Sequence, residues 1–256
     1  MKVIILPTAD EVGEYGTDVI LRGVAAGTIS VLGVATGSSP LPVYRALARS
    51  GNGLPCGLEA FALDEYVGLP ASHPQSYRSV IDAEVTVPLG LAADRVHVPD
   101  GAAPDVDAAS MAYDAVIEAA GGIDLQMLGI GSDGHIGFNE PTSSFASRTR
   151  VKTLTPQTRA DNARFFDSID DVPVHCITQG LGTIMEAREI LLFALGKGKA
   201  ADVAAAIEGP VTSMCPGSIL QHHRKVTIVL DAEAASDLSL TDYYKYVAAN
   251  LPKSQR

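Results

Sequence analysis

The stretch Gly129-Ile130-Gly131-Ser132-Asp133-Gly134-His135-Ile136-Gly137-Phe138-Asn139-Glu140-Pro141 crowds one imidazole, two carboxylates and four glycines into thirteen residues. Asp133 and Glu140 flank His135. A carboxylate beside an imidazole orients the ring and raises its proton affinity, which is what an acid/base histidine needs. The glycines allow left-handed backbone or the close approach of a ligand. Metal binding competes for such a cluster, but no second His or Cys stands at ligand spacing, so no metal site is expected. Another pair of carboxylates, Asp64 and Glu65, follows the apolar residues Phe61-Ala62-Leu63. These supply either a catalytic base at the edge of a sheet or solvated charges in a turn.

A third stretch, Gly33-Val34-Ala35-Thr36-Gly37-Ser38-Ser39-Pro40, turns from an apolar run through small residues into a helix. Thr36, Ser38 and Ser39 offer hydroxyls, Gly37 lets backbone come close, and the free N–H groups of a helix start attract a phosphate. The stretch has neither the Lys of a P-loop nor G-x-G-x-x-G, which speaks against a nucleotide. The competing use of Ser39 is as an N-cap ahead of Pro40 at the first helical position. Isolated cations complete the set. Arg148, Arg150 and Lys152 alternate at strand period and would share a face, Arg159 and Arg164 follow, and Lys199 opens a helix after Gly196 and Gly198. Positive charge is disfavoured at a helix start, so a bridging anionic ligand explains Lys199. Lys197 and Arg159 read as ordinary solvated charges.

The apolar pattern shows what must hold these residues in place. Strands are expected at 3–6, 31–35, 61–63, 96–98, 125–129, 174–178, 190–194 and 226–230. Helices are expected from a capping-box pattern at Thr8-Ala9-Asp10-Glu11 to Ala26, and over 40–49, 75–85, 107–120, 158–166, 199–207 and 242–250. Strand–helix alternation at this spacing means βαβ units. The expected fold is α/β: a single doubly wound, mostly parallel sheet with helices on both faces, modified Rossmann-like, in one domain over residues 1–256. Ligands of such sheets sit beyond the carboxyl ends of the strands, where all three stretches fall.

Composition sets outer limits. The sequence carries 30 Asp and Glu against 19 Lys and Arg, a net charge of −11, so a broad nucleic-acid or anionic-membrane face is not expected. That balance leaves room for a small anion, which needs only a few local groups. Cys56, Cys176 and Cys215 are far apart and form no C-x-x-C pair, as fits reduced thiols in a cytoplasmic protein. No segment approaches the ~18 apolar residues of a membrane span, and residues 1–7 do not read as a signal peptide.

Taken together the motifs resemble the glucosamine/galactosamine-6-phosphate isomerase family, along nearly the whole chain and in order. The resemblance runs through Ala35-Thr36-Gly37-Ser38, Leu63-Asp64-Glu65-Tyr66-Val67-Gly68-Leu69-Pro70 and His73-Pro74-Gln75-Ser76-Tyr77. It continues through Asp133 to Pro141, Ser147-Arg148-Thr149-Arg150 and Asn162-Ala163-Arg164-Phe165-Phe166. The segment Phe138 to Pro141 is the most specific, because related 6-phosphogluconolactonases share Gly-x-Asp-Gly-His but continue differently. The resemblance implies isomerisation and deamination of glucosamine 6-phosphate to fructose 6-phosphate and ammonia, without a cofactor. It implies Asp64 as the base between C2 and C1, and His135 assisting ring opening with Asp133 and Glu140 tuning it. Thr36, Gly37, Ser38, Ser39, Arg164 and Lys199 would hold the phosphate. Ser143, Arg150 and Lys152 match positions that bind an allosteric sugar phosphate in some members, which are homo-oligomers. The alternatives are a 6-phosphogluconolactonase, a galactosamine-6-phosphate deaminase, or a non-catalytic sugar-phosphate-sensing effector domain.

Overall fold

Short runs rich in Val, Ile and Leu form the strands β1 (Lys2–Leu6), β2 (Val31–Val34), β3 (Glu59–Ala62), β4 (Asp64–Tyr66) and β5 (Val96–His97). The later strands are β6 (Leu125–Leu128), β7 (Arg150–Thr153), β8 (His175–Thr178), β9 (Glu189–Ala194) and β10 (Val226–Asp231). The helices are α1 (Ala9–Ala25), α2 (Leu41–Arg49), α3 (Tyr77–Ile81), α4 (Val87–Leu89), α5 (Val106–Ala119), α6 (Pro156–Asn162), α7 (Leu181–Met185), α8 (Ala200–Ile207) and α9 (Thr241–Ala249). This computed structural model describes residues 1–51, 53–55 and 57–252; Cys56, one of the three expected thiols, lies outside them. The expected start of α1 is present: Thr8 Oγ1 accepts the Glu11 N–H at 3.2 Å and donates to the Glu11 carboxylate at 2.8 Å. Such a cap satisfies a donor that the first helical turn leaves free.

Seven strands form a parallel sheet in the order β1-β10-β9-β6-β2-β3-β5. From β2 the chain steps outward through β3 to β5, and from β6 it steps the other way through β9 to β10. The boundary between β2 and β6 is therefore the topological switch point, the place where such sheets open a ligand crevice. Alternate strand residues feed two cores. Leu32, Leu125, Leu191 and Phe193 pack with α1, α2 and the segment after Ile81. Leu128, Ile190, Leu192 and Ile228 pack on the opposite face with α5, α7 and α8. Burying each large aliphatic side chain contributes roughly 1.5–3 kcal/mol, which makes these layers the main stabilising term.

The expected doubly wound sheet is thus present, but a second sheet stands beside it. β4, β8 and β7 form a three-stranded antiparallel ribbon, in which Asp64 and Arg150 both pair with Thr178. Only Leu63 separates β3 from β4: its N–H donates to Val34 O and its carbonyl accepts from Gln179 N at 2.8 Å. The residues after Phe61-Ala62-Leu63 consequently belong to a buried strand rather than a solvated turn. Hydrophobic alternation alone does not distinguish one continuing strand from two strands in different sheets.

At the amino ends of β2 and β6, buried Asp124 ties the switch point together. Its carboxylate accepts Ser30 N and Val31 N at 2.8 and 2.9 Å and the Ser30 hydroxyl at 2.9 Å, and it pairs with Arg188. Burial disfavours the charge, but these hydrogen bonds and Arg188 win and hold the acid below its ordinary range. Asp124→Ala should lose about 1–3 kcal/mol in denaturant unfolding at pH 7 by orphaning buried N–H groups. A carboxylate with a depressed folded pKa stabilises above its unfolded pKa, and that contribution fades as pH falls through the folded value. The gap between variant and wild type should accordingly shrink below about pH 4; a pH-independent gap would assign the loss to packing.

Candidate active site

The carboxyl ends of β2, β3 and β6 open onto one cavity of about 660 Å³. Asp64, His135, the whole Thr36–Ser39 turn, Arg164 and Lys199 line it. Residues from five separate stretches of sequence therefore meet where the strand order reverses.

Asp64 and Glu65 point to different tasks. Successive strand side chains face opposite sides. Glu65, buried, accepts the N–H groups of Tyr66, Tyr77 and Arg78, each at 2.8 Å, and so anchors the start of α3. Burial raises its pKa while those three bonds pull the other way. Asp64 is equally buried, and among the described residues no hydrogen bond to its carboxylate is found. Burial, reinforced by the neighbouring Glu65 charge and only partly offset by His135, pushes it up to about 8. A buried acid kept close to neutral pH is the pattern of a proton-transfer group.

His135 sits in the loop after β6. Its Nδ1 lies 2.6 Å from Asp133 Oδ1 and 3.5 Å from Glu140 Oε2. The same Asp133 oxygen accepts the His135 backbone N–H at 3.1 Å, so one carboxylate fixes both ring and chain. Burial would lower the imidazole pKa, but bonds to Asp133 and Glu140 and their charges outweigh it and raise it to about 9. Asp133 is held below the usual carboxylate range: burial opposes this, and the His135 bond overrides it. Glu140 is fixed in turn by Thr155 N, which donates to Oε1 at 3.1 Å. Asp133, His135 and Glu140 bring three potential ligand atoms within 4.8 Å of one another. The ring nitrogen nearest both carboxylates, Nδ1, is the one bonded to Asp133. Gly131 is required here: a methyl at that position would lie 2.1 Å from the His135 ring.

The rest of the cavity wall is built from the turn after β2 and two cations. Gly37 has φ +91°, a left-handed value that lets the turn after β2 present its peptides to the cavity. Ser39 does not cap α2; Pro40 holds the cap position, with no side-chain hydrogen bond, because the turn runs one residue further before the helix begins. Thr36, Ser38 and Ser39 thus remain on the cavity wall. Lys199 comes from the start of α8, and its burial lowers its pKa, with Asp202 and Asp161 opposing. Arg164 is exposed at the rim, its guanidinium 4.7 Å from the Phe165 ring centre.

Ser143, Arg150 and Lys152 do not line this cavity. Arg150 reaches Asn139 Oδ1 at 2.8 Å and Ser143 Oγ at 3.3 Å, while Arg148 is drawn away to Asp114 and Glu186 at 3.0 and 2.6 Å. The cations at strand period therefore do not form one patch. Arg159 is no solvated charge either: it donates to Val172 O and Ile169 O and pins the segment after α6. Sequence reading missed Tyr77, which lines the cavity, and Asp161, which accepts the Ser132 hydroxyl at 2.5 Å. Neither lies in a motif with a chemical signature of its own; Ser132 and Asp161 are 29 residues apart.

Fold and site define a doubly wound α/β protein whose switch-point cavity brings together a glycine-containing turn, two cations, a buried carboxylate and a carboxylate-held imidazole. A family profile described as glucosamine-6-phosphate isomerases/6-phosphogluconolactonase matches residues 8–229, and the chain belongs to that family. The glucosamine-6-phosphate deaminase of Streptomyces coelicolor is 55% identical over 259 residues, covering 100% of this chain and 99% of that one. That of Mycolicibacterium smegmatis is 53% identical, covering 96% of this chain and 95% of that one. Among solved structures, a monomeric glucosamine-6-phosphate deaminase superposes with a TM-score of 0.90 at 39% identity, covering 93% of this chain and 100% of that one. A 6-phosphogluconolactonase from Trypanosoma cruzi superposes at 0.76 with 22% identity over 93% of this chain and 97% of that one, a likeness of fold.

The environment of Asp64 makes a stability prediction independent of activity. Its folded pKa of about 8 lies above the ordinary 3.8. An acid with a raised folded pKa loses stability as pH climbs from the unfolded to the folded value, on the order of 1 kcal/mol per pH unit. Asp64→Asn removes that loss. The melting temperature of the variant relative to wild type should rise between about pH 4 and pH 8 and then level off. A flat difference across that range would show that Asp64 is not held neutral.

Proposed function

We propose that the protein is a glucosamine-6-phosphate deaminase, converting glucosamine 6-phosphate and water to fructose 6-phosphate and ammonia. The observation that carries this is the single cavity in which a phosphate-binding turn faces both an unpartnered buried carboxylate and a carboxylate-held imidazole. The full-length likeness to deaminases supports it.

In this reading Thr36–Ser39, Arg164 and Lys199 hold the phosphate through backbone N–H groups, hydroxyls and charge-assisted bonds. Anchoring the unreactive end fixes the reacting carbons and lowers the entropic cost of reaction. His135, oriented by Asp133 and Glu140, exchanges a proton with the sugar to open the pyranose ring. Asp64 then removes the C2 proton from the open-chain aldehyde while its carbonyl oxygen takes up a proton, leaving an enolamine, and returns a proton to C1 as the nitrogen gives one up. The resulting C2 imine adds water and expels ammonia, giving the ketone. Atoms balance without a redox cofactor. The substrate's ammonium and the imidazolium both favour the ionised form of Asp64 once the sugar is bound. We place the reaction in the cytosol, in keeping with free thiols at Cys176 and Cys215, and treat residues 1–256 as one catalytic domain.

Ammonia release with the 6-phosphates of glucosamine and galactosamine, beside hydrolysis of 6-phosphogluconolactone, tests the assignment. Glucosamine 6-phosphate should be turned over best; lactone hydrolysis without ammonia would overturn it. Because Asp64 must be ionised and His135 protonated, kcat/KM should rise with pH through about 8 and fall near 9, limbs that belong to the coupled pair. Asp64→Asn should abolish solvent hydrogen exchange at C2. Arg164→Ala should lower kcat as well as raise KM, by roughly 10- to 100-fold in kcat/KM, since remote binding positions the reacting carbons.

A further inference from the structure

Behind the cavity runs a hydrogen-bonded chain that the proposed chemistry does not use directly. Asn139 is fully buried at its centre. Its Oδ1 accepts from Arg150 at 2.8 Å, and its Nδ2 donates to Ile136 O at 2.9 Å and to Gln179 O at 2.8 Å. A side-chain amide can donate twice, and here both donors and the acceptor are engaged. Gln179 extends the chain: its N–H donates to Leu63 O at 2.8 Å and its Nε2 to Ala62 O at 3.0 Å. The residue bonded to Gln179 on one side thus immediately precedes Asp64, and the residue bonded to Asn139 on the other immediately follows His135. Phe138 N also donates to Thr178 Oγ1 at 3.0 Å, and Thr178 pairs with Asp64 across β8 and β4. Gly137 between them has φ +57°, and a methyl there would lie 2.9 Å from Thr178 Oγ1 and 3.7 Å from the Asp64 carboxylate.

We infer that Asn139, held by Arg150, is a positioning residue that sets the placement of Asp64 relative to His135. Thr178 makes a lesser version of the same link, its hydroxyl accepting from Phe138 N at 3.0 Å and donating to Gln179 O at 3.3 Å, but Asn139 is the one that Arg150 also holds. Arg150 is half-buried and spends its guanidinium on Asn139 and Ser143, whose hydroxyl donates to Glu140 O at 2.6 Å. Its role in this fold is to lock the amide of Asn139 in one orientation and to brace the backbone of Glu140. The groups facing His135 are Asp133 and Glu140 from its own loop, Asp64 from β4 and Asp202 from α8. Moving the loop changes the first two and Asp64 together while leaving the phosphate turn, which hangs from β2, where it is.

This inference rests on the deaminase reading for its kinetic arm alone. Asn139→Ser, Asn139→Leu and Arg150→Lys are compared with wild type. The His135 imidazole is titrated by NMR, kcat and KM are read from ammonia release, and inorganic phosphate affinity is read by competition. Asn139→Ser should lower kcat about tenfold or more through misplacement. It should also move the His135 midpoint by ~0.5 pH unit or more. Phosphate affinity should stay within about twofold, and Arg150→Lys should show smaller changes of the same sign. An unmoved midpoint with full kcat in folded Asn139→Ser would overturn the inference, as would a parallel loss of phosphate affinity, which reports general loosening. Should Asn139→Leu fail to fold, Asn139→Ser and Arg150→Lys decide the matter. Should wild type release no ammonia, the deaminase reading fails, and the His135 titration still decides the role of Asn139.

Discussion

A buried carboxylate with no hydrogen-bond partner among the described residues, on the wall of the cavity that His135 also lines, is the constraint around which this molecule is arranged. Water would solvate Asp64 far better than its buried setting does, which pushes its pKa up to about 8. The fold tolerates that cost because Asp64 stands on a short buried strand, open only to the cavity. The single residue Leu63 leads into it from the main sheet, and Thr178 pairs with it in the second. Its neighbour Glu65 is just as buried but has three peptide N–H donors, and it serves architecture instead. Two adjacent, equally buried carboxylates are thereby set apart by hydrogen bonding: Glu65 is tied into the backbone, and Asp64 faces the cavity.

The cationic side of the site obeys a parallel logic. His135 is nearly enclosed, which by itself would drive off its proton, yet Asp133 and Glu140 hold it charged. Burial and pairing thus move the two key groups in the same direction on the pH scale: the acid is raised by losing solvent, the base by gaining partners. Both end near the pH at which a proton can be passed with little driving force. The Thr36–Ser39 turn is carried by a different strand, β2, so the two sides of the cavity are held by separate parts of the sheet edge.

Surface and site also follow different rules. The chain has 11 more acids than bases, yet the cavity is completed by Lys199 and Arg164. Net charge describes the outer field, which opposes long-range attraction of polyanions. A small anion needs only local peptides and a few cations at hydrogen-bonding range, where the field of the whole surface matters little.

Much of this was legible in the sequence for a physical reason. Period and punctuation are local properties, so the parallel strands, the capped α1 and the glycine turn at Gly37 could be read from neighbouring residues. Residue chemistry is also local, which is why the Asp133–His135–Glu140 cluster stood out from types and spacing, whereas Asp64 and the Thr36–Ser39 turn kept competing readings that only the family resemblance decided between. Three things were decided only in three dimensions. The break of the strand after Ala62 into two sheets depends on pairing with β8, more than 100 residues away. The division of labour between Asp64 and Glu65 depends on Tyr77 and Arg78 presenting their N–H groups. The engagement of Arg150 with Asn139, away from any shared patch with Arg148, depends on how the second sheet lies under the His135 loop. Sequence specifies what each residue can donate, accept or bury. Which partner it meets is set by the closing of the chain, because hydrogen bonds and desolvation act over a few ångströms whatever the separation along the backbone.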